Sequence, residues 1–339
     1  MVAGAGHTAA AISVREQMVE LQEAGLDRLY RWAATAVRAG EPELQLLAPA
    51  LQHLQARPAL FSLVLDEYTG ARRAGLVRQF LSALTEGGPG GTPRPIELQA
   101  HDPARYCGDM LAWLHQACPA ESELLSALLR QCGPEQAELA SKALAAVTEG
   151  VTRPLQSRME QILVSEPGPV VLYRLTNLIR FYQGMLAGVV GPGGLLTVLA
   201  ELQQLALSQF LSQLQGAVAA QLGRGGRAGP GDLAPAPATT ALLALLREIL
   251  AGQGVVDSGP DLPSILACLA DPLAKQLGER AAAMPSQDGA VFLVNNMHQL
   301  ATTLSLYPGT EARVASLQQE IDRGLARLSQ AQATHLQVY

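Results

Sequence analysis

His101, Cys107, His115 and Cys118 are the residues whose types and spacing come nearest to a site of chemistry. Imidazole nitrogen and thiolate sulfur are what structural zinc takes as ligands, and His115 and Cys118, at a three-residue step, can share one helix face. The spacing is nevertheless poor for zinc. Structural sites draw close pairs of ligands from a turn and a second element, whereas His101 precedes a capped helix and Cys107 falls inside it. The four therefore read as core or surface side chains, with a helical enzyme built on them as the alternative. No metal and no cofactor is expected.

Other chemical signatures are weaker. The glycine runs at 87–91 and 191–194 are not followed by the Lys-Ser/Thr with which a phosphate loop holds phosphate and magnesium, so both read as hinges. No GxSxG elbow, HExxH helix or paired acidic motif occurs, and the six histidines are scattered. Arg224 and Arg227 lie among glycines, but two arginines in a neutral surrounding give weak affinity for RNA. No catalytic, cofactor-binding or metal residue is nominated, and no residue is singled out for a partner.

The elements that carry these residues are helices. Of the 339 residues, 48% are hydrophobic and only 4% aromatic, so the apolar content is Leu, Ala and Val rather than the residues that favour pleated strands. The length suffices for about two domains with a substantial core. A net charge of −6 argues against a broad nucleic-acid surface. The basic residues are nearly all arginine, Lys142 and Lys275 being the two lysines. Cysteines 107, 118, 132 and 268 form no CxxC pair and follow no secretory leader, which predicts reduced, buried thiols in a cytosolic setting. Residues 181–200 are uncharged over the length of a bilayer span, but Gly191-Pro192-Gly193-Gly194 interrupts them where lipid offers no water to the freed backbone. A membrane-spanning helix is not expected.

Periodicity then places the elements. In the first helix, Val14, Met18, Leu21, Leu29, Trp32 and Ala36 predict one core stripe, with Glu16, Glu20, Glu23, Asp27 and Arg31 mostly off it. A second helical pattern over 58–86 is expected to break near Tyr68-Thr69-Gly70, where Arg72, Arg73 and Arg78 accumulate as solvated charge. Gly87 to Pro95 reads as a hinge. Asp102 is a good N-cap with Pro103 at the first helical position, and Gly133-Pro134 ends the helical stretch that follows. A helix over 135–164 is expected to kink at Pro154. In 170–190, Val171, Leu175, Leu178, Ile179, Tyr182, Met185, Leu186 and Val189 share a face. Leu195, Leu199, Leu202, Ala206, Phe210, Leu214, Val218 and Leu222 repeat at steps of three and four, predicting a long helix antiparallel to the one before. After a flexible linker at 223–238, helices are expected at 239–251, 262–283, 288–306 and 310–337, with Pro272 kinking the second or starting a new one. These boundaries give an N-terminal helical segment (1–86), a hinge (87–100), a central bundle (101–222), the linker and a C-terminal bundle (239–339), in an all-α architecture without a regular repeat.

Between Gly87 and Ala117 the chain reads GGPGGTPRPIE, LQA, HDPARYCGDMLAWLHQA, and this block resembles subunit 6 of the conserved oligomeric Golgi complex, a vesicle-tethering assembly. EQMVELQEAGLDRLYRWA at 16–33, LDEYTGARRAGLVRQFLSALTEGGPGGTPRPIE at 65–97, LYRLTNLIRFYQGMLAGVVG at 172–191, and ILACLADPL with VFLVNNMHQLATTL within 265–304 are similar to the same family. The resemblance implies an elongated rod of stacked antiparallel helical bundles, without catalysis or cofactor. Its implied role is in intra-Golgi retrograde transport, peripherally on the cytosolic face of the Golgi membrane. Implied partners are sister subunits of the second lobe, SNAREs and coiled-coil Golgi proteins. The chain departs from the family in lacking a coiled coil ahead of residue 16 and a portion after residue 332, which reads as an internal fragment. It departs also at Cys107, where an aliphatic residue is expected, and in the glycine-arginine run at 223–229. Set beside this reading is a general cytosolic helical adaptor whose apolar surface captures partner helices.

Overall fold

The computed structural model describes residues 3–40, 43–224, 233–251 and 261–337. Every regular element among them is helical. They are α1 (Ala3–Arg38), α2 (Leu44–Leu54), α3 (Pro58–Thr85), α4 (Pro103–Leu129), α5 (Gln136–Thr148), α6 (Thr152–Val164), α7 (Pro169–Ala187), α8 (Gly194–Arg224), α9 (Pro237–Ala251), α10 (Leu262–Ala282), α11 (Ser286–Leu304) and α12 (Glu311–Gln337). Short 3-10 turns at Pro89–Gly91, Ile96–Gln99 and Glu149–Val151 join them. The all-α expectation holds. The helices fall into two compact units, residues 1–159 with 179–202 and residues 160–178 with 203–339.

In the first unit α1 and α2 pack on α3, α2 packs on α4, and α5 lies against both α3 and α4. The core is Leu and Phe on facing stripes, with Leu47, Leu51, Phe80, Leu84, Met110, Leu111 and Leu114 fully buried. Contrary to the expected break near Gly70, α3 is one continuous helix. A glycine inside a helix costs about 1 kcal/mol, which the burial of Val64, Leu65, Tyr68, Leu76 and Phe80 on the same helix outweighs. Thr69 stays helical by donating its hydroxyl to the Leu65 carbonyl. The expected kink at Pro154 lies a turn earlier, in the 3-10 turn at Glu149–Val151. There Gly150 presses on α3: a methyl group at its Cα would stand 2.8 Å from Arg73 Cγ and Val77 Cγ2. Pro154 falls in the first turn of α6, where a missing N–H breaks no ladder bond.

The second unit is built on α9 to α12. α10 and α12 pack against α11, and α9 contacts both α10 and α11. Helices joined by turns of a few residues in this way are antiparallel neighbours. Pro272 lies inside α10, which continues through it. Tyr173 of α7 stacks obliquely on Phe210 of α8 at 4.8 Å, and Gln276 of α10 donates to the Leu222 carbonyl at 2.8 Å. All of Leu195, Leu199, Leu202, Ala206, Phe210, Leu214 and Val218 on α8 are buried, as the three-four spacing predicts. On α7 the prediction needs correcting: Met185 is exposed, while Leu172, Tyr173 and Thr176 are buried. Residues 225–232, half of the predicted linker and Arg227 among them, lie outside the described residues.

α7 ends at Ala187 and α8 begins at Gly194, so the uncharged run 181–200 is two helix ends and a turn. Among the described residues no helix is long and apolar enough to cross a membrane.

Candidate functional site

α4 carries three of the four residues with ligand chemistry. Its start is set by Asp102, whose carboxylate accepts the Arg105 N–H at 3.1 Å, with Pro103 at the first helical position as the sequence predicts. A rise of 1.5 Å per residue separates Cys107 from Cys118 by roughly 16 Å along the axis. His115 rests edge-on against Tyr182 of α7, ring centroids 6.1 Å apart. His101 stands outside the helix, exposed, its Nδ1 3.1 Å from the Leu98 carbonyl. The four do not meet, and no group of three or more His, Cys, Asp or Glu side chains that could hold a metal occurs among the described residues.

Nor are the two sulfurs poised as nucleophiles. Burial pushes the Cys107 thiol up to about 12, and burial, followed by the Glu121 carboxylate, does the same to Cys118. Both are protonated at neutral pH and behave as small apolar groups.

The charge on α3 is not all solvated. Arg72 forks onto the buried Glu121 of α4, Nε to Oε2 at 3.0 Å with a second bond from Nη2 to Oε1. Arg73 reaches Glu149 at 3.3 Å. Sequence reasoning missed these pairs because both join elements remote along the chain. A carboxylate at position 121 inside an otherwise apolar stripe was the available signal. Tyr68 beside this pair has its hydroxyl pushed above the ordinary tyrosine value, first by burial.

The glycine runs prove to be packing devices. In the segment after α3, Gly88 N–H donates to the Pro93 carbonyl at 2.8 Å and Gly87 N–H to Ser82 at 2.9 Å. Gly87 has φ +80°, and a Cβ there would lie 2.5 Å from the Pro93 oxygen. The Thr92–Pro93 peptide is cis. This loop, α3 and Trp113 enclose a cleft of 480 Å³ rimmed by Arg78 and Arg94. Its lining holds no carboxylate, histidine or thiol, and the Ser82 hydroxyl is committed to Glu86 at 2.7 Å. The second run sits on α5, where a Cβ on Gly191 would meet Ser141 Oγ at 2.4 Å and one on Gly193 would meet Ala145 Cβ at 3.0 Å. Close approach of backbone to helix, rather than phosphate, is what these glycines serve.

What remains is a set of helix faces, and their sequence is related to known proteins. The family model for the C-terminal region of conserved oligomeric Golgi complex subunit 6 matches residues 8–338. The chain belongs to this family. The subunit 6 of Drosophila melanogaster is 42% identical over 98% of this chain and 54% of its own length, and that of Homo sapiens is 41% identical over 96% and 51%. The subunit 6 of Arabidopsis thaliana is 35% identical over 83% of this chain and 45% of its own. The chain thus spans about half the length of these subunit 6 relatives. In fold it is similar to S. cerevisiae Exo70, with a TM-score of 0.53 at 15% identity over 96% of this chain and 68% of that one.

Proposed function

We propose that the chain is a non-catalytic subunit of a Golgi vesicle-tethering complex that acts through protein-protein contacts. Membership of the subunit 6 family over nearly the whole chain is the observation that carries this reading. The residues with reactive chemistry point the same way: the four candidate ligands are dispersed, the thiols of Cys107 and Cys118 are held protonated, and the cleft beside Trp113 lacks an acid-base pair. Its partners on this proposal are the sister subunits of the second lobe, with SNAREs and coiled-coil Golgi proteins in turn, and its place is the cytosolic face of the Golgi membrane, held there peripherally. Its role is in intra-Golgi retrograde transport and Golgi organisation.

The test is co-purification. An affinity-tagged version preceded by the N-terminal half of the Drosophila subunit, expressed in Drosophila cells, recovers sister subunits from Golgi extract in near-stoichiometric amount and restores glycosylation when the endogenous subunit is depleted. Recovery of no sister subunit, with diffuse localisation, would instead favour the general helical adaptor.

A further inference from the structure

Two arginines stand at the cleft beside Trp113 with nothing to neutralise them. Arg78 and Ser82, like Gln79 and Ala83, are four residues apart, so one stripe along the end of α3 forms a wall of the cleft. The loop from Gly87 to Ile96 supplies the facing wall and α4 contributes Trp113. Arg78 and Arg94 are exposed, and neither enters an ion pair among the described residues, unlike Arg72 and Arg73 on the same α3. The neighbouring carboxylates are engaged elsewhere: Glu97 holds Arg158 at 2.9 Å, and Glu86 accepts the Ser82 hydroxyl at 2.7 Å. Between the two cations the lining is apolar, with Ala83, Pro93, Ile96 and Trp113. The indole is braced by the fully buried Phe80, ring centroids 5.1 Å apart. Arg94 stands between Pro93 and Pro95, whose rings fix the backbone on either side of it. A cleft built this way is ordered before any ligand arrives, which lowers the cost of binding.

We propose that this cleft binds a short acidic peptide segment, seating a bulky apolar side chain against Trp113 and Ile96 while flanking carboxylates meet Arg78 and Arg94. This stands on the cleft and not on a role at the Golgi. The volume of 480 Å³ falls within the range of about 300–1,000 Å³ in which pockets hold compact ligands. An aromatic anchor site with a charged rim is the plan on which peptide and protein contacts concentrate their affinity. Guanidinium groups pair with carboxylates through two parallel hydrogen bonds, so unpaired arginines at the rim select acidic residues beside the anchor. A phosphate-rich ligand fits the same cleft poorly. Phosphate sites gather backbone N–H groups at a helix N-terminus or in a loop nest. Here the N–H groups of Gly87, Gly88 and Gly91 are spent on the carbonyls of Ser82, Pro93 and Gly88, and the adjoining helix end is the carbonyl end of α3, which repels concentrated negative charge.

The experiment titrates the full chain into fluorescein-labelled peptides with the core Glu-Asp-Phe-Glu-Asp, or with Leu or Trp in place of Phe, and reads fluorescence anisotropy. At least one of the three binds, and its counterparts with Asn-Gln for the acidic pairs or Ser for the apolar residue bind about tenfold more weakly or less. Affinity falls between about 50 and about 300 mM salt. Arg78→Gln with Arg94→Gln weakens binding about tenfold and flattens that salt dependence, while thermal unfolding stays unchanged because both side chains are exposed and unpaired. In Trp32→Phe, where Trp113 is the remaining tryptophan, unlabelled Glu-Asp-Phe-Glu-Asp peptide shifts the indole emission to the blue. Binding of none of the three acidic peptides overturns the proposal, as does equal binding of the Asn-Gln counterpart; both results come from the unmutated chain. Unchanged affinity in the arginine double variant places the peptide elsewhere and overturns it too. Inositol hexakisphosphate that binds more tightly than every peptide and displaces them from the unmutated chain assigns the cleft to phosphate instead.

Discussion

Cys107 and Cys118 tie stability to pH through a group that does no chemistry. Unfolded thiols titrate near 8.5, whereas burial raises both to about 12 in the folded chain. The folded state therefore holds more protons than the unfolded one between these values, so this contribution is intact below the lower value and is lost as pH rises through the upper. Unfolding by urea at pH 7, 9 and 10.5 should show stability falling above pH 9, with a shallower fall in Cys107→Ala. A thiol reagent at pH 8 should leave Cys107 and Cys118 unlabelled until the chain unfolds, as read by peptide mass spectrometry. Two polar side chains are held as firmly. Removing the carboxylate in Glu121→Ala takes away the forked pair at the α3–α4 contact and should cost about 2–3 kcal/mol, less than a wholly buried pair because Arg72 still reaches water. Buried Asn296 accepts from Ala236 N–H at 2.9 Å and Thr239 Oγ1 at 2.7 Å, and donates to the Phe292 carbonyl at 2.8 Å. Asn296→Leu leaves those two donors without their acceptor and should lower the urea midpoint by the equivalent of about 2–4 kcal/mol.

The helices obey their sequence periodicity where a partner covers them and depart from it where none does. Leu195 through Val218 on α8 show the first case, seven of the eight predicted apolar positions being buried and Leu222, at the helix end, half-buried. Val14, Met18, Leu21 and Trp32 on α1 show the second, since the predicted stripe is exposed and the buried residues are Leu26, Ala33, Ala34 and Val37. Small residues at 33 and 34 let α1 approach its neighbours closely, and a pattern that weights large apolar residues overlooks them. Glycine sorts the same way. At Gly289 of α11 a Cβ would come within 2.2 Å of the Ala281 carbonyl oxygen of α10, so Gly289→Ala should destabilise by about 2–3 kcal/mol in thermal or urea unfolding. Gly184 of α7 has nothing within 4 Å of its Cβ position, and Gly184→Ala should stabilise by about 0.5–1 kcal/mol. Both are helix-interior glycines, and sequence cannot tell them apart.

At the level of the whole chain, two helical units account for the composition: leucine and alanine supply helix-forming apolar stripes, and glycine and proline mark the turns between them. Helix type, most helix ends, the Asp102 cap and the family were all legible from residues alone, because each depends on local propensity, three-four periodicity or an extended match of sequence. What only the tertiary structure decided is which stripe finds a neighbour. Arg72 meeting Glu121 across 49 residues, Asn296 reaching Ala236 across 60, and the exposure of Val14, Met18 and Leu21 on α1 all depend on distances between helices, which local periodicity does not encode.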